Sequence, residues 1–72
     1  MDLYLRCARL TRREYEVLDL LASGLSDKEI AEQLVVSEET AKTYTKRLLK
    51  TLDVNNRLQA VLKGMRCGMV QL

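Results

Sequence analysis

Apolar and polar residues recur along this chain with a helical period, in four blocks separated by short breaks. The block from Ser37 to Leu52 is the clearest. At about 100° per residue, Ala41, Thr45, Leu48 and Leu52 fall within one narrow arc, and Lys42, Thr43, Lys46, Arg47 and Lys50 fall on the opposite arc. Ser37 suits an N-cap, because its hydroxyl can accept a bond from an amide left unpaired in the first turn. Glu38 and Glu39 follow, where negative charge favours the positive end of a helix. The pattern predicts a helix over 38–52 with one side built for burial and the other offering four cations and a hydroxyl. Taken alone, such a face is more often merely solvated; the neighbouring segments shift that balance.

Residues 1–9 have no period and read as an N-terminal arm or linker, leaving 10–72 as the domain. Thr11 and Glu14 form a capping box, with Leu10 and Tyr15 at the two positions of a hydrophobic staple. Val17, Leu18, Leu21 and Ala22 give one apolar face, and Gly24 is placed to end the helix, which should cover about 11–23. Ser26 and Glu29 form a second box, with Leu25 and Ile30 as staple, opening a short helix over about 27–34. Only Val35 and Val36 then precede Ser37. Two helices so joined, the second with a basic outer face, describe a helix-turn-helix. Ala31 is small enough to let the second helix approach the first closely.

Asp53 should end the long helix and Val54 should turn back into the core. Asn56 and Gln59 read as a third variant of the capping box, opening a last helix over about 57–67 with Gly68 after it. Its apolar residues form two stripes: Ala60, Val61 and Gly64, and roughly 100° away Leu58, Leu62 and Met65. One stripe should face the core. The second calls for another partner, of which a symmetric dimer is the simplest, or it is scattered apolar surface. The fold class expected is all-α, a four-helix domain.

Composition agrees. The core must be aliphatic, since the only aromatics are three tyrosines. Net charge is only +2, but it is unevenly spread: residues 1–13 carry +3, residues 14–39 carry −7 and residues 40–72 carry +6. A basic second half suggests a polyanion partner for one surface. Cys7 and Cys67 stand near opposite ends; a bridge between them is not required by the sequence, and with no secretory segment, reduced thiols in a cytoplasmic setting are the default. No apolar run approaches the roughly 20 residues of a membrane span. Histidine is absent, neither cysteine belongs to a CxxC pair, and there is no glycine-rich phosphate loop. Neither an enzyme, a metal nor a cofactor is expected.

The stretches LTRREYEVLDLLASGLSDKEIAEQL, VSEETAKTYTKRLLKTLDV and NRLQAV, with their K-E-I-A, S-x-x-T-x-K and R-x-Q-A-V segments, resemble the C-terminal DNA-binding domain of the LuxR/FixJ/GerE family of bacterial transcription regulators. The resemblance runs from Leu10 to Val70. It implies a four-helix domain whose third helix lies in the DNA major groove and whose fourth commonly mediates dimerisation on DNA, here through Leu58, Leu62 and Met65. It places Lys42, Thr43 and Lys46 at base edges and Thr40, Arg47 and Lys50 along the phosphates, with Lys28 a further phosphate candidate. Tyr44 sits between the two faces, its hydroxyl directed to a phosphate or its ring to the core. The partners implied are double-stranded DNA and a second copy of the chain, with RNA polymerase a further candidate. The chain departs from the family pattern at five places: Arg12 stands where proline is frequent, Ala41 for valine, Tyr44 for histidine, Thr51 for a basic residue and Asp53 for glycine. The last two remove a cation and add an anion near the end of the third helix. They motivate a competing reading, a protein-interaction module of the same fold that has lost DNA binding. A promoter-recognising domain of the sigma-factor type is a second alternative. The family occurs both as short free-standing regulators and as the end of longer chains.

Overall fold

The computed structural model describes residues 9–70. Four helices follow one another: α1 (Arg12–Ala22), α2 (Asp27–Leu34), α3 (Glu38–Leu52) and α4 (Arg57–Arg66). No strand occurs among the described residues. Every boundary falls within one residue of the sequence-based expectation. The expected arm lies outside the described residues except for Arg9, which is exposed.

The helix starts have the chemistry their sequences announce. Thr11 Oγ1 accepts from the Glu14 amide at 3.1 Å, and Glu14 Oε1 accepts from the Thr11 amide at 2.8 Å. Ser26 and Glu29 repeat this exchange at 3.2 and 2.9 Å. The amide bond from each cap residue holds its glutamate below the usual carboxylate range. At Glu14 partial burial opposes this, while the Thr51 and Thr11 hydroxyls add to it. The third box needs correction. Asn56 Oδ1 accepts from the Gln59 amide at 2.9 Å, but Gln59 Oε1 accepts from Asn55, one residue before the cap, at 2.8 Å. The cause is backbone rotation: Asn56 has φ −154°, against −70° and −76° at Thr11 and Ser26, which turns its own amide away.

The helix ends divide into two kinds. Gly24, at φ +83°, closes α1, with its amide bonded to Leu21 O at 2.9 Å and the Leu25 amide to Leu20 O at 3.2 Å. The same paired closure ends α2 at Val35 and α3 at Asp53, both at φ 57° and neither a glycine. Left-handed backbone costs an L-residue about 1–2 kcal/mol, most at a β-branched one. Val35 is 89% exposed, so its side chain returns little of that by packing. Val35→Asn is therefore expected to stabilise the domain by about 1 kcal/mol, raising the thermal midpoint by roughly 4–8 °C. Asp53→Gly should gain less, since aspartate tolerates this conformation better and glycine loses more entropy on folding. Thermal melts followed by circular dichroism check both; an unchanged midpoint for Val35→Asn refutes the strain.

The core gathers side chains from all four helices. Leu18, Ile30, Leu48, Leu52 and Val17 are fully enclosed. α2 and α3 share the broadest helix contact, and Ala31 and Ala41, one on each, are buried. α1 packs across α3 and α4. Thr45 is the buried polar member, and its hydroxyl is satisfied by Ala41 O at 3.1 Å. Val54 packs against this core as expected. On α4 the core stripe is Ala60 and Gly64, with Val61 partly buried. Gly64 has a steric reason to be there: a Cβ would stand 2.8 Å from Val70 Cγ2 and 3.0 Å from Leu18 Cδ2.

Long-range polar contacts tie the frame. Arg57 pairs with Asp27 at the start of α2, and its second nitrogen donates to Leu25 O at 3.4 Å. Lys63 Nζ donates to Leu52 O, at the end of α3, at 2.5 Å. Among the described residues no cysteine is free, because Cys67 is disulfide-bonded. This corrects the expectation of reduced thiols. That expectation rested on the absence of a secretory segment, which speaks to redox compartment and not to sulfur geometry. Cys7 lies outside the described residues.

Candidate nucleic-acid interface

α3 divides as its periodicity requires. Ala41, Leu48 and Leu52 are wholly enclosed and Thr45 nearly so, whereas Lys42, Thr43, Lys46, Arg47 and Lys50 are exposed. Fifteen residues make the helix about 22 Å long, enough to lie along a groove and reach backbone on both sides. Ser37 caps it, accepting from the Thr40 amide at 3.1 Å.

The outer face carries two separate hollows. One, an open groove of about 470 Å³, is lined by Glu38, Glu39, Lys42, Thr43 and Lys46, and so brings the three expected base-contacting residues together. Within it Lys42 lies 3.8 Å from Glu38, an exposed pair of small energetic value that a ligand can displace. The Thr43 hydroxyl donates to Glu39 O at 3.2 Å, which leaves its lone pairs and methyl to face a base. Among the described residues Lys46, Arg47 and Lys50 have no ion-pair partner. The second hollow, about 190 Å³, lies toward α1 and is lined by Thr11, Arg13, Glu14, Val17, Tyr44 and Arg47. Two expected phosphate residues, Tyr44 and Arg47, are therefore set apart from the groove that Lys42, Thr43 and Lys46 line.

The remaining expected residues are placed as follows. Thr40 is half-buried, and its Oγ1 accepts from the Ser37 hydroxyl at 2.8 Å. Lys28 is exposed in the first turn of α2 and lines neither hollow. Leu58, Leu62 and Met65 are 67%, 42% and 41% exposed on α4, an apolar stripe separate from the α3 groove.

Two residues change meaning in three dimensions. Tyr44 is half-buried, and the Arg13 guanidinium lies over its ring, 5.5 Å from the centroid. Arg13 was invisible as a site residue, because nothing local links it to a helix that begins 25 positions later. Thr51 is a departure of a different kind from the one its position suggested. Its hydroxyl donates to Glu14 Oε2 at 3.0 Å, so it ties α3 to the cap of α1. Substituting it for a cation changes the frame at that point and not the outer row of α3.

An exposed row of cations along one helix suits an elongated polyanion. Among the described residues no group of three His, Cys, Asp or Glu side chains is placed to hold a metal ion. No helix among them is long and apolar enough to cross a membrane.

Comparison with known proteins agrees with this geometry. Residues 8–63 match the family described as bacterial regulatory proteins, luxR family. The chain is 43% identical over 63 residues to the transcriptional regulatory protein DegU of Brevibacillus brevis, covering 88% of this chain and 27% of that protein. It is 40% identical over 63 residues to the spore germination protein GerE of Bacillus subtilis, covering 88% of this chain and 85% of that one. The solved structure of the transcription factor GerE superposes with a TM-score of 0.79 at 37% identity, over 86% of this chain and 92% of that one. The response regulator ChrA of a heme-sensing two-component system superposes with a TM-score of 0.81 at 31% identity, over 94% of this chain and 34% of that one. The chain thus spans about a quarter to a third of the longer regulators and most of the short one. By sequence and by fold it belongs to the luxR family of bacterial regulatory proteins.

Proposed function

We propose that this domain binds double-stranded DNA sequence-specifically, with α3 in the major groove, and serves transcription regulation as a dimer joined through α4. The observation that carries the reading is α3 itself: its inner arc is wholly enclosed, and Lys42, Thr43 and Lys46 share one open groove on its outer face. Lysine can donate to guanine O6 and N7, and a threonine methyl can rest on the methyl of thymine. Arg47, Lys50 and Lys28, with the Thr40 and Tyr44 hydroxyls, supply the phosphate contacts that set register. RNA polymerase is a further partner to be sought.

Fluorescence anisotropy tests this, with a labelled random duplex and a site selected from a pool, across a salt series. Sequence-specific binding predicts tighter binding to the selected site and a steep log–log slope, about 0.9 per neutralised phosphate. A folded domain that binds neither duplex at low salt refutes it and favours the protein-interaction module instead. Binding that requires RNA polymerase core points to the sigma-factor type.

The dimer is supported by the stripe of Leu58, Leu62 and Met65, which the core leaves uncovered. Leu62→Glu is expected to abolish cooperative binding to a duplex with two half-sites while leaving single half-site affinity within about twofold, since a charge at an apolar contact opposes pairing. Sedimentation of the complexes reads the stoichiometry; unchanged cooperativity removes α4 from the interface.

A further inference from the structure

We infer that the DNA interface extends onto α1, where Arg13, lying over the Tyr44 ring, holds a backbone phosphate next to the one held by Arg47. The inference rests on the reading of α3 as the groove-bound helix.

Two observations converge on Arg13. Its guanidinium lies over the Tyr44 ring at 5.5 Å, and Tyr44 belongs to α3. A cation–π contact of this length restrains the guanidinium beside the ring, and a planar fork of N–H donors suits a phosphate. Arg13, Tyr44 and Arg47 also line the same hollow, so cations from two different helices border it together with that ring.

The nearby carboxylates leave Arg13 available. Glu14 also lines the hollow, but its Oε1 accepts from the Thr11 amide and its Oε2 from the Thr51 hydroxyl. Arg13 pairs with Glu16 at 3.6 Å, with both side chains nearly half exposed, so exchanging that partner for a phosphate costs little. A phosphodiester offers the guanidinium a full charge and two acceptor oxygens.

The test uses the whole 72-residue chain with Arg13→Ala and Arg13→Lys, titrated on the random duplex and the selected site across the salt series. Arg13→Ala is expected to weaken binding roughly tenfold on both duplexes, the scale of one charge-assisted hydrogen bond. Its log–log salt slope should be shallower by about 0.9. Arg13→Lys should keep the wild-type slope while losing part of the affinity, since it retains the charge but not the planar fork. Arg13→Gln, which keeps a polar stem without charge, repeats the first measurement should the alanine variant melt early. A neutral variant with wild-type melting and wild-type slope overturns the inference. Wild-type protein that shows no salt-dependent binding to either duplex defeats the parent reading instead, whatever Arg13 does.

Discussion

Leu48→Ala is expected to remove about half of the stability of the domain. Leu48 is wholly enclosed and lies on the inner arc of α3, beneath the basic face. Truncating an enclosed leucine costs about 2–5 kcal/mol, partly for lost transfer energy and partly for the cavity left behind. A domain of this length has roughly 4–11 kcal/mol in total. The thermal midpoint should therefore fall by roughly 8–40 °C. DNA binding should fall with the folded fraction and return when an excluded osmolyte restores folding. Leu48→Met, which conserves volume, should cost under about 1.5 kcal/mol and keep binding. Circular dichroism melts decide the matter: a loss below about 1 kcal/mol for the alanine variant would mean that α3 is not anchored through this position.

The second large effect is on recognition without any change in folding. Lys46→Ala should weaken binding to the selected site by roughly 10–100-fold, the value of a good base contact, and binding to a random duplex much less. Lys46 lines the groove with Lys42 and Thr43 and has no ion-pair partner among the described residues, so its removal should leave the melting temperature unchanged. Lys50→Ala is the counterpart. It is one turn further along the exposed face and should weaken both duplexes alike, with a slope shallower by about 0.9. Equal losses on both duplexes for Lys46→Ala would assign Lys46 to phosphate and leave base reading to Lys42 and Thr43.

The exposed stripe on α4 and the basic face of α3 are separate surfaces, so the two kinds of variant should be independent. Leu62→Glu acts on half-site cooperativity and Lys46→Ala on base discrimination. Additive effects in the double variant would confirm that neither works through the other.

The four helices were legible in the sequence because helix formation is written locally. Capping boxes at Thr11 and Ser26, the serine cap at Ser37 and the 3.6-residue period each involve residues within one or two turns. The inner and outer faces of α3 were legible for the same reason. Closure of α3 at Asp53 was legible too, whereas that of α2 was not, since Val35 is β-branched and does not announce a left-handed conformation. The shifted box at Asn56 depended on one backbone angle.

What the sequence by itself determined is the helix order, the caps, the inner and outer faces of α3 and the two stripes of α4. Only the tertiary structure decided which residues meet across helices. It set Arg13 over Tyr44, bonded Thr51 to Glu14 across 37 positions, paired Arg57 with Asp27 across 30, and fitted Gly64 against Leu18 and Val70. The physical reason is range. Periodicity and capping are fixed by neighbours within a turn, whereas these contacts depend on how the helices cross, which is set by the joint packing of all four.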